Sequence, residues 1–475
     1  MQGQAYHSRM YLCLHMKLLG NIFYRYLWIS FNIWLGYFYR YSSRKHATGL
    51  HHIPNDRPVI FCSNHPNAFM DAIMVASTPG RRTWFLARSD VFRKKALAKF
   101  LSFIGIIPIY RLQEGAENLA KNDETFDKCS KMLEENKAII IFSEGLCVQE
   151  RRLRKLKKGT ARIAFGSEEK NDFKLNLTII PVGANYSSTP WKFRSRLYIS
   201  FGEPIAMKDY EELYRADKAR AMNQFTRDLE AKMKEQLVII QHHENDQLVD
   251  RLEEMMLHDL ATEEDRDPHN QKETHHVSKE IAHVINEAYE RNPEEINVLR
   301  EEVDLYFEGL KEFGVRDWVM KPATIASMGL ADVLKDFVLF FLGFPFWLFG
   351  LITNYLPYKL PYIITNKIVK NIEWHASING TLSVFLWQIF YVLESLAVAL
   401  IFRDWLILGS FMILMPVCGM IAQEYWVLMK KSGGKSRLIK AFRNNKNAIE
   451  ELIAMRNTIT EKFYRLREEH RLTKE

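Results

Sequence analysis

The run Cys62-Ser63-Asn64-His65-Pro66-Asn67-Ala68-Phe69-Met70-Asp71 sets an imidazole and a carboxylate close together, directly after the apolar stretch Val59-Ile60-Phe61. A histidine that donates one ring N–H to a carboxylate is held in one tautomer, and its other nitrogen can take a proton from a substrate hydroxyl. Along a continuous helix, the step from His65 to Asp71 turns the side chains about 240° apart, so the pair meets only if His65 lies in a loop. Pro66 supports this, because the residue before a proline is pushed out of helical geometry, and Asn67 is a fair helix N-cap. The segment therefore predicts a strand, a loop carrying His65 and a helix carrying Asp71. Taken alone, it also fits a structural histidine at a strand end.

Other residue types suited to chemistry follow in order. Arg111 comes after the strand-like run Gly105-Ile106-Ile107-Pro108-Ile109-Tyr110, where a guanidinium can fork onto phosphate oxygens. Glu144 and Gly145 follow the apolar run Ala138–Phe142, where the acid can bind substrate hydroxyls and the glycine lets backbone approach a ligand. Arg151, Arg152, Arg154, Lys155, Lys157 and Lys158 form a dense basic run that suits substrate contact or a lipid-headgroup-facing surface equally well. Pro181 fits a strand end or a substrate wall better than a chemical role.

These residues fall within 46–205, where short apolar runs alternate with polar, helix-like stretches, the pattern of an α/β sheet flanked by helices. Residues 206–331 carry charges at helical spacing and read as a charged helical domain with a flexible break near 261–274. Its histidine pairs His242/His243 and His275/His276 point to different helix faces, so no metal site is expected. Residues 1–45 read as an interfacial membrane helix, rich in aromatics and interrupted by Lys17, Arg25 and Arg40.

Residues 332–425 form a membrane domain of three stretches near bilayer length. Basic segments follow the first and third stretches, and the positive-inside rule places both in the cytoplasm. The first stretch, which contains Pro345 and closes at Pro357, is therefore expected to be re-entrant or interfacial. The second and third form a hairpin turning at Arg403 and Asp404, and a three-span arrangement is the alternative. Glu394 is a costly charge within the second stretch. Residues 426–475 read as a basic cytoplasmic tail helix.

Composition narrows the classes. The net charge of +8 over 475 residues suits an anionic membrane surface or anionic substrate, and the membrane stretches favour these over nucleic acid. The five cysteines show no C-x-x-C pair, which suggests neither a disulfide framework nor a zinc site and fits a reducing cytosol.

The ordered set resembles the glycerol-3-phosphate and lysophosphatidate acyltransferase superfamily, whose first motif is N-H-x4-D. Gly105 to Arg111 is similar to its second motif, Phe142-Ser143-Glu144-Gly145-Leu146 to its third, usually F-P-E-G-T, and Ile180-Pro181-Val182-Gly183 to its fourth. Two departures stand out. The spacing here is H-x5-D, as in a branch with C-terminal membrane helices, and the third motif lacks its proline and the threonine-arginine that commonly follow Glu-Gly.

The resemblance implies a mixed acyltransferase-type sheet, with His65 and Asp71 catalytic and with Asn64, Arg111, Glu144, Gly145, Arg151, Arg152 and Pro181 binding substrate. It implies an acyl-CoA or acyl carrier protein cosubstrate, no metal or other cofactor, and a lysophospholipid or glycerol-3-phosphate acceptor in a membrane. The catalytic domain would face the cytoplasm, at a bacterial inner membrane or at the endoplasmic reticulum. A thioesterase-like hydrolase, an acyltransferase for another lysolipid or amino-acid lipid, and a non-catalytic membrane scaffold are the competing readings.

Overall fold

The computed structural model describes residues 22, 25–33, 46–110, 121–187 and 196–472, so the interfacial helix expected over 1–45 lies mostly outside the described residues. The chain divides into two compact units. One runs to Val238 and includes Asn371–Ser377; the other comprises Ile239–Lys370 and Ile378–Glu475.

The first unit is built on an eight-stranded mixed sheet. Its strands are β1 (Ala47–Thr48), β2 (Val59–Ser63), β3 (Thr83–Arg88), β4 (Ile106–Ile109), β5 (Ala138–Phe142), β6 (Thr178–Tyr186), β7 (Leu197–Phe201) and β8 (Ile205–Ala206). The order is β1-β7-β6-β2-β5-β3-β4, with β8 also paired to β6. β2 pairs in parallel with both β5 and β6, and β3 in parallel with β4 and β5. β7 and β8 run antiparallel to β6.

All five residues of β2 are buried, which explains why Val59 to Ser63 reads as a continuous apolar run rather than an alternating one. Helices α1 (Ala68–Ser77), α2 (Lys95–Phe103), α3 (Lys121–Glu134), α4 (Gly159–Lys170) and α5 (Lys218–Lys234) belong to the same unit, with a short helix at Glu211–Ala216 before α5. Phe165 of α4 and Phe225, Leu229 and Met233 of α5 join Ile60, Ile139 and Ile179 of the sheet in one core. The helical region expected to start a separate domain at 206 thus belongs to the sheet unit as far as Val238. The reason is that α5 has an apolar stripe, and the stripe needs this core to cover it.

The second unit is helical: α6 (Asp246–Glu263), α7 (Gln271–Arg291), α8 (Pro293–Glu312), α9 (Leu330–Ile368), α10 (His375–Phe402, from Ile378 onward), α11 (Trp405–Asn444) and α12 (Lys446–Leu472), with two short helices before α9. Three of them, α9, α10 and α11, are long and apolar enough to cross a membrane.

The break expected at Pro345 and Pro357 is absent. α9 is continuous through both and through Pro361, so neither proline ends the helix. A proline removes one helical hydrogen bond without ending the helix when neighbouring helices support it, and here α9 packs on α11. A Cβ on Gly350 would fall 2.0 Å from the Cys418 carbonyl oxygen, so only glycine allows this approach. The Asn354 amide donates to the Met415 carbonyl at 3.1 Å and accepts from the Tyr391 hydroxyl at 2.8 Å, tying three apolar helices together.

The single tail helix expected over 426–475 is instead divided between the end of α11 and α12, which are separated at Asn445. Ile449, Leu452, Ile459, Phe463 and Leu466 of α12 are buried, and the helix packs on α7 and α8.

Candidate active site

Parallel pairing brings the carboxyl ends of β2, β5 and β6 to one edge of the sheet, where a parallel sheet commonly holds its ligands. β2 ends at Ser63 and the chain passes through His65 before α1 starts at Ala68, so the histidine lies in a loop and Asp71 in the first turn of the helix. His65 Nδ1 is 3.1 Å from Asp71 Oδ2. The imidazole stacks on the Phe142 ring at 3.9 Å between centroids, and its side chain keeps 19% exposure. With Nδ1 facing the carboxylate, Nε2 has no hydrogen-bond partner among the described residues and is free to accept a proton.

Asp71 is fully buried, and it is satisfied by donors. The Asn67 N–H donates to Oδ2 at 2.6 Å and the Tyr186 hydroxyl to Oδ1 at 2.7 Å. A buried carboxylate needs such partners, and each of them also fixes its plane. Tyr186, at the end of β6, belongs to this set and had no signal in the sequence. It follows Asp71 by 115 positions, and only strand register brings it near.

The expected substrate-binding residues divide into several groups. Asn64 is buried and forms a reciprocal pair with Ala184, accepting from its N–H at 2.8 Å and donating to its carbonyl at 3.0 Å, so its amide binds β6 rather than a ligand. Glu144 is also buried, and both of its oxygens accept backbone N–H groups, from His65 and from Arg154, each at 3.1 Å. Burial raises the Glu144 pKa above its ordinary value, and these two hydrogen bonds oppose the rise. Its oxygens therefore brace the His65 loop instead of facing substrate hydroxyls. Gly145 adopts a φ of +70°, a left-handed turn that favours glycine and bends the chain back from β5.

Pro181 lies in β6 in register with Cys62. Its carbonyl accepts from the Gly202 N–H at 2.8 Å, so its nitrogen faces the same edge, at the gap between the β8 and β7 pairings, where a missing donor costs little. Arg151 and Arg152 are half-buried beside Glu150, with Arg152 Nε 3.6 Å from Glu150 Oε2. Leu156 is buried beneath this run, and Arg154, Lys155, Lys157 and Lys158 project outward.

Arg111 lies outside the described residues. The strand end leading to it is pinned by Asn122, which accepts from the Tyr110 N–H at 2.9 Å and donates to the Tyr110 carbonyl at 2.8 Å.

The loop after β5 grips the turn that follows His65. The Val148 N–H donates to the His65 carbonyl at 3.1 Å, and the Ala68 N–H to Cys147 Sγ at 3.0 Å. Burial pushes the Cys62 thiol up to about 12, so it remains protonated behind the site. His242, on which no metal site was expected, pairs with Glu290 in the second unit, with Nε2 2.8 Å from Oε1.

Residues 44–185 match the Acyltransferase family model. An 88-residue stretch is 39% identical to glycerol-3-phosphate O-acyltransferase 1 of Saccharomyces cerevisiae. The match covers 18% of this chain and 11% of that protein, so it spans about a tenth of the relative's length. Among solved structures, the chain is similar to the 1-acyl-sn-glycerophosphate (LPA) acyltransferase PlsC from Thermotoga maritima. That similarity is 16% identity over 39% of this chain and 72% of that one, with a TM-score of 0.27.

Proposed function

We propose that the acyltransferase-family domain transfers a fatty acyl group from an acyl thioester, acyl-CoA or acyl carrier protein, to the hydroxyl of a glycerol-phosphate lipid precursor. The observation that carries this reading is the His65–Asp71 pair at 3.1 Å, with Nδ1 facing the carboxylate and Nε2 left open at the sheet edge. Nε2 takes the proton of the acceptor hydroxyl as its oxygen attacks the thioester carbonyl carbon. The C–S bond then breaks, the thiolate takes the proton from the imidazolium, and an ester and a thiol are released. Asp71 holds the ring in orientation and stabilises the transient imidazolium.

Lysophosphatidate is the favoured acceptor and glycerol-3-phosphate the second. Support comes from the basic run at 151–158 beside the Glu144 loop, whose exposed cations suit a phosphate. Three helices of membrane-crossing length support a membrane-embedded enzyme working on a lipid acceptor, and the cytoplasmic placement of the domain rests on the basic segments in the sequence alone.

The test uses the full chain in phospholipid vesicles with labelled acyl-CoA or acyl carrier protein and a panel of acceptors. Ester formation that requires lysophosphatidate or glycerol-3-phosphate supports the reading. Release of free fatty acid at the same rate without acceptor identifies a hydrolase instead. Absence of turnover with every donor and acceptor favours a scaffold.

A further inference from the structure

The turn that joins His65 to Asp71 carries one backbone hydrogen bond of its own, from the Met70 N–H to the Asn67 carbonyl at 3.0 Å, and takes further support from outside. Asn67, the N-cap of α1, makes no side-chain cap hydrogen bond, and its own N–H is committed to Asp71. The next residue, Ala68, has a φ of +43°, a left-handed conformation that strains any residue bearing a Cβ. An outside group supplies what the cap lacks. The Ser377 hydroxyl donates to the Asn67 carbonyl at 3.1 Å and accepts from the Met70 N–H at 3.0 Å. This is the work of an N-cap serine, performed by a residue 310 positions away in sequence.

Ser377 is only 2% exposed and the adjoining Ala376 is fully buried. Residues Ile372–Trp374 pack on α1, and Asn371–Ser377 belongs to the sheet unit although the chain on both sides does not. Ser377 also lies in the first turn of α10, one of the three helices of membrane-crossing length.

We propose that Ser377 is a positioning residue for His65: it caps the turn between His65 and Asp71 from the start of a membrane-length helix, so the proton-transfer geometry depends on how that first turn is seated. The inference rests on the acyl-transfer reading above. Without the hydroxyl, the Asn67 carbonyl and the Met70 N–H keep their bond to each other but lose the buried partner that each also shares. The strained turn can then relax and loosen the Asn67 N–H that orients Asp71.

The experiment compares Ser377→Thr with Ser377→Val, a pair of nearly equal shape that differs in the hydroxyl, beside Ser377→Ala and His65→Ala, all full-length in vesicles and checked by thermal melting. With the hydroxyl lost, kcat is expected to fall about tenfold while KM for acceptor moves less than about twofold; threonine should hold kcat within about threefold of wild type. Equal kcat for the threonine and valine variants, or a change confined to KM, overturns the proposal, and so does wild-type kcat in folded Ser377→Ala. An inactive His65→Ala beside unaffected Ser377 variants sinks this inference alone. An active His65→Ala sinks the reading beneath it.

Discussion

Asp71 and Asp317 are both fully buried carboxylates, one in each unit, and their surroundings differ in a way that sets the proposed active site apart from a closed structural cluster. Asp71 accepts from a backbone N–H and a tyrosine hydroxyl, with an imidazole Nδ1 as its third neighbour. Among the described residues no permanent cation pairs with it, and the imidazole keeps its second nitrogen open. Asp317 is approached by the Arg456 guanidinium, with Nε at 2.8 Å and Nη2 at 3.4 Å, and by the Tyr306 hydroxyl at 2.8 Å. Burial and the Asp317 charge push the Tyr306 pKa up; burial lowers that of Arg456, but its pairing with Asp317 more than offsets this. The second set closes on itself and leaves nothing to react. A buried carboxylate therefore signals chemistry only when its partners end in an atom that faces outward.

Asp71→Asn tests the open set most severely. An amide can present an N–H to Nδ1 and favour the wrong tautomer, so acyl transfer should fall by about 10²–10⁴ with a melting temperature near wild type. A comparable loss of folded protein would erase the contrast. For the closed set, Arg456→Ala should cost about 3–5 kcal/mol of stability by leaving Asp317 buried and unpaired, measured by denaturant unfolding of the detergent-solubilised chain. Specific activity per folded molecule should hold.

A matched pair sharpens the comparison. Tyr186→Phe and Tyr306→Phe each remove one hydroxyl from a buried aspartate. The first should appear mainly as a kcat loss of about tenfold, the second as a stability loss of about 1–3 kcal/mol. The smallest effect concerns Glu144, whose raised pKa means that the folded state binds the proton more tightly than the unfolded chain. Its contribution is fullest below the ordinary carboxylate value of 4.5 and is lost as pH rises through the raised one. The stability advantage of wild type over Glu144→Gln should widen as pH falls from neutral toward that value, and a constant difference would contradict the assignment.

The sequence foretells the local parts of this arrangement well. The short apolar runs of 46–205 form β2 to β7, with β2 buried throughout and β3 and β4 only in part, while the two-residue strands β1 and β8 carry no pattern of their own. Pro66 correctly takes His65 out of the helix. What escapes local reading is contact between distant residues: Tyr186 and Ser377 reach the site through register and packing, and nothing near either residue announces it. Asn64 and Glu144 look like ligand groups because spacing cannot reveal that backbone N–H and C=O groups already occupy them. The charged tail misleads for a related reason. The stretch expected as a basic cytoplasmic tail helix holds Arg456, Arg467 and His470, each buried against an acid, Asp317, Glu280 and Glu287 respectively.

The central claim is that His65 Nε2 removes the proton of the acceptor hydroxyl, and acceptor-dependent acyl transfer by His65→Ala tests it most directly. The full chain in vesicles should lose at least about 10²-fold in kcat while its melting temperature stays close to wild type. Transfer at the wild-type rate by folded His65→Ala would contradict the account.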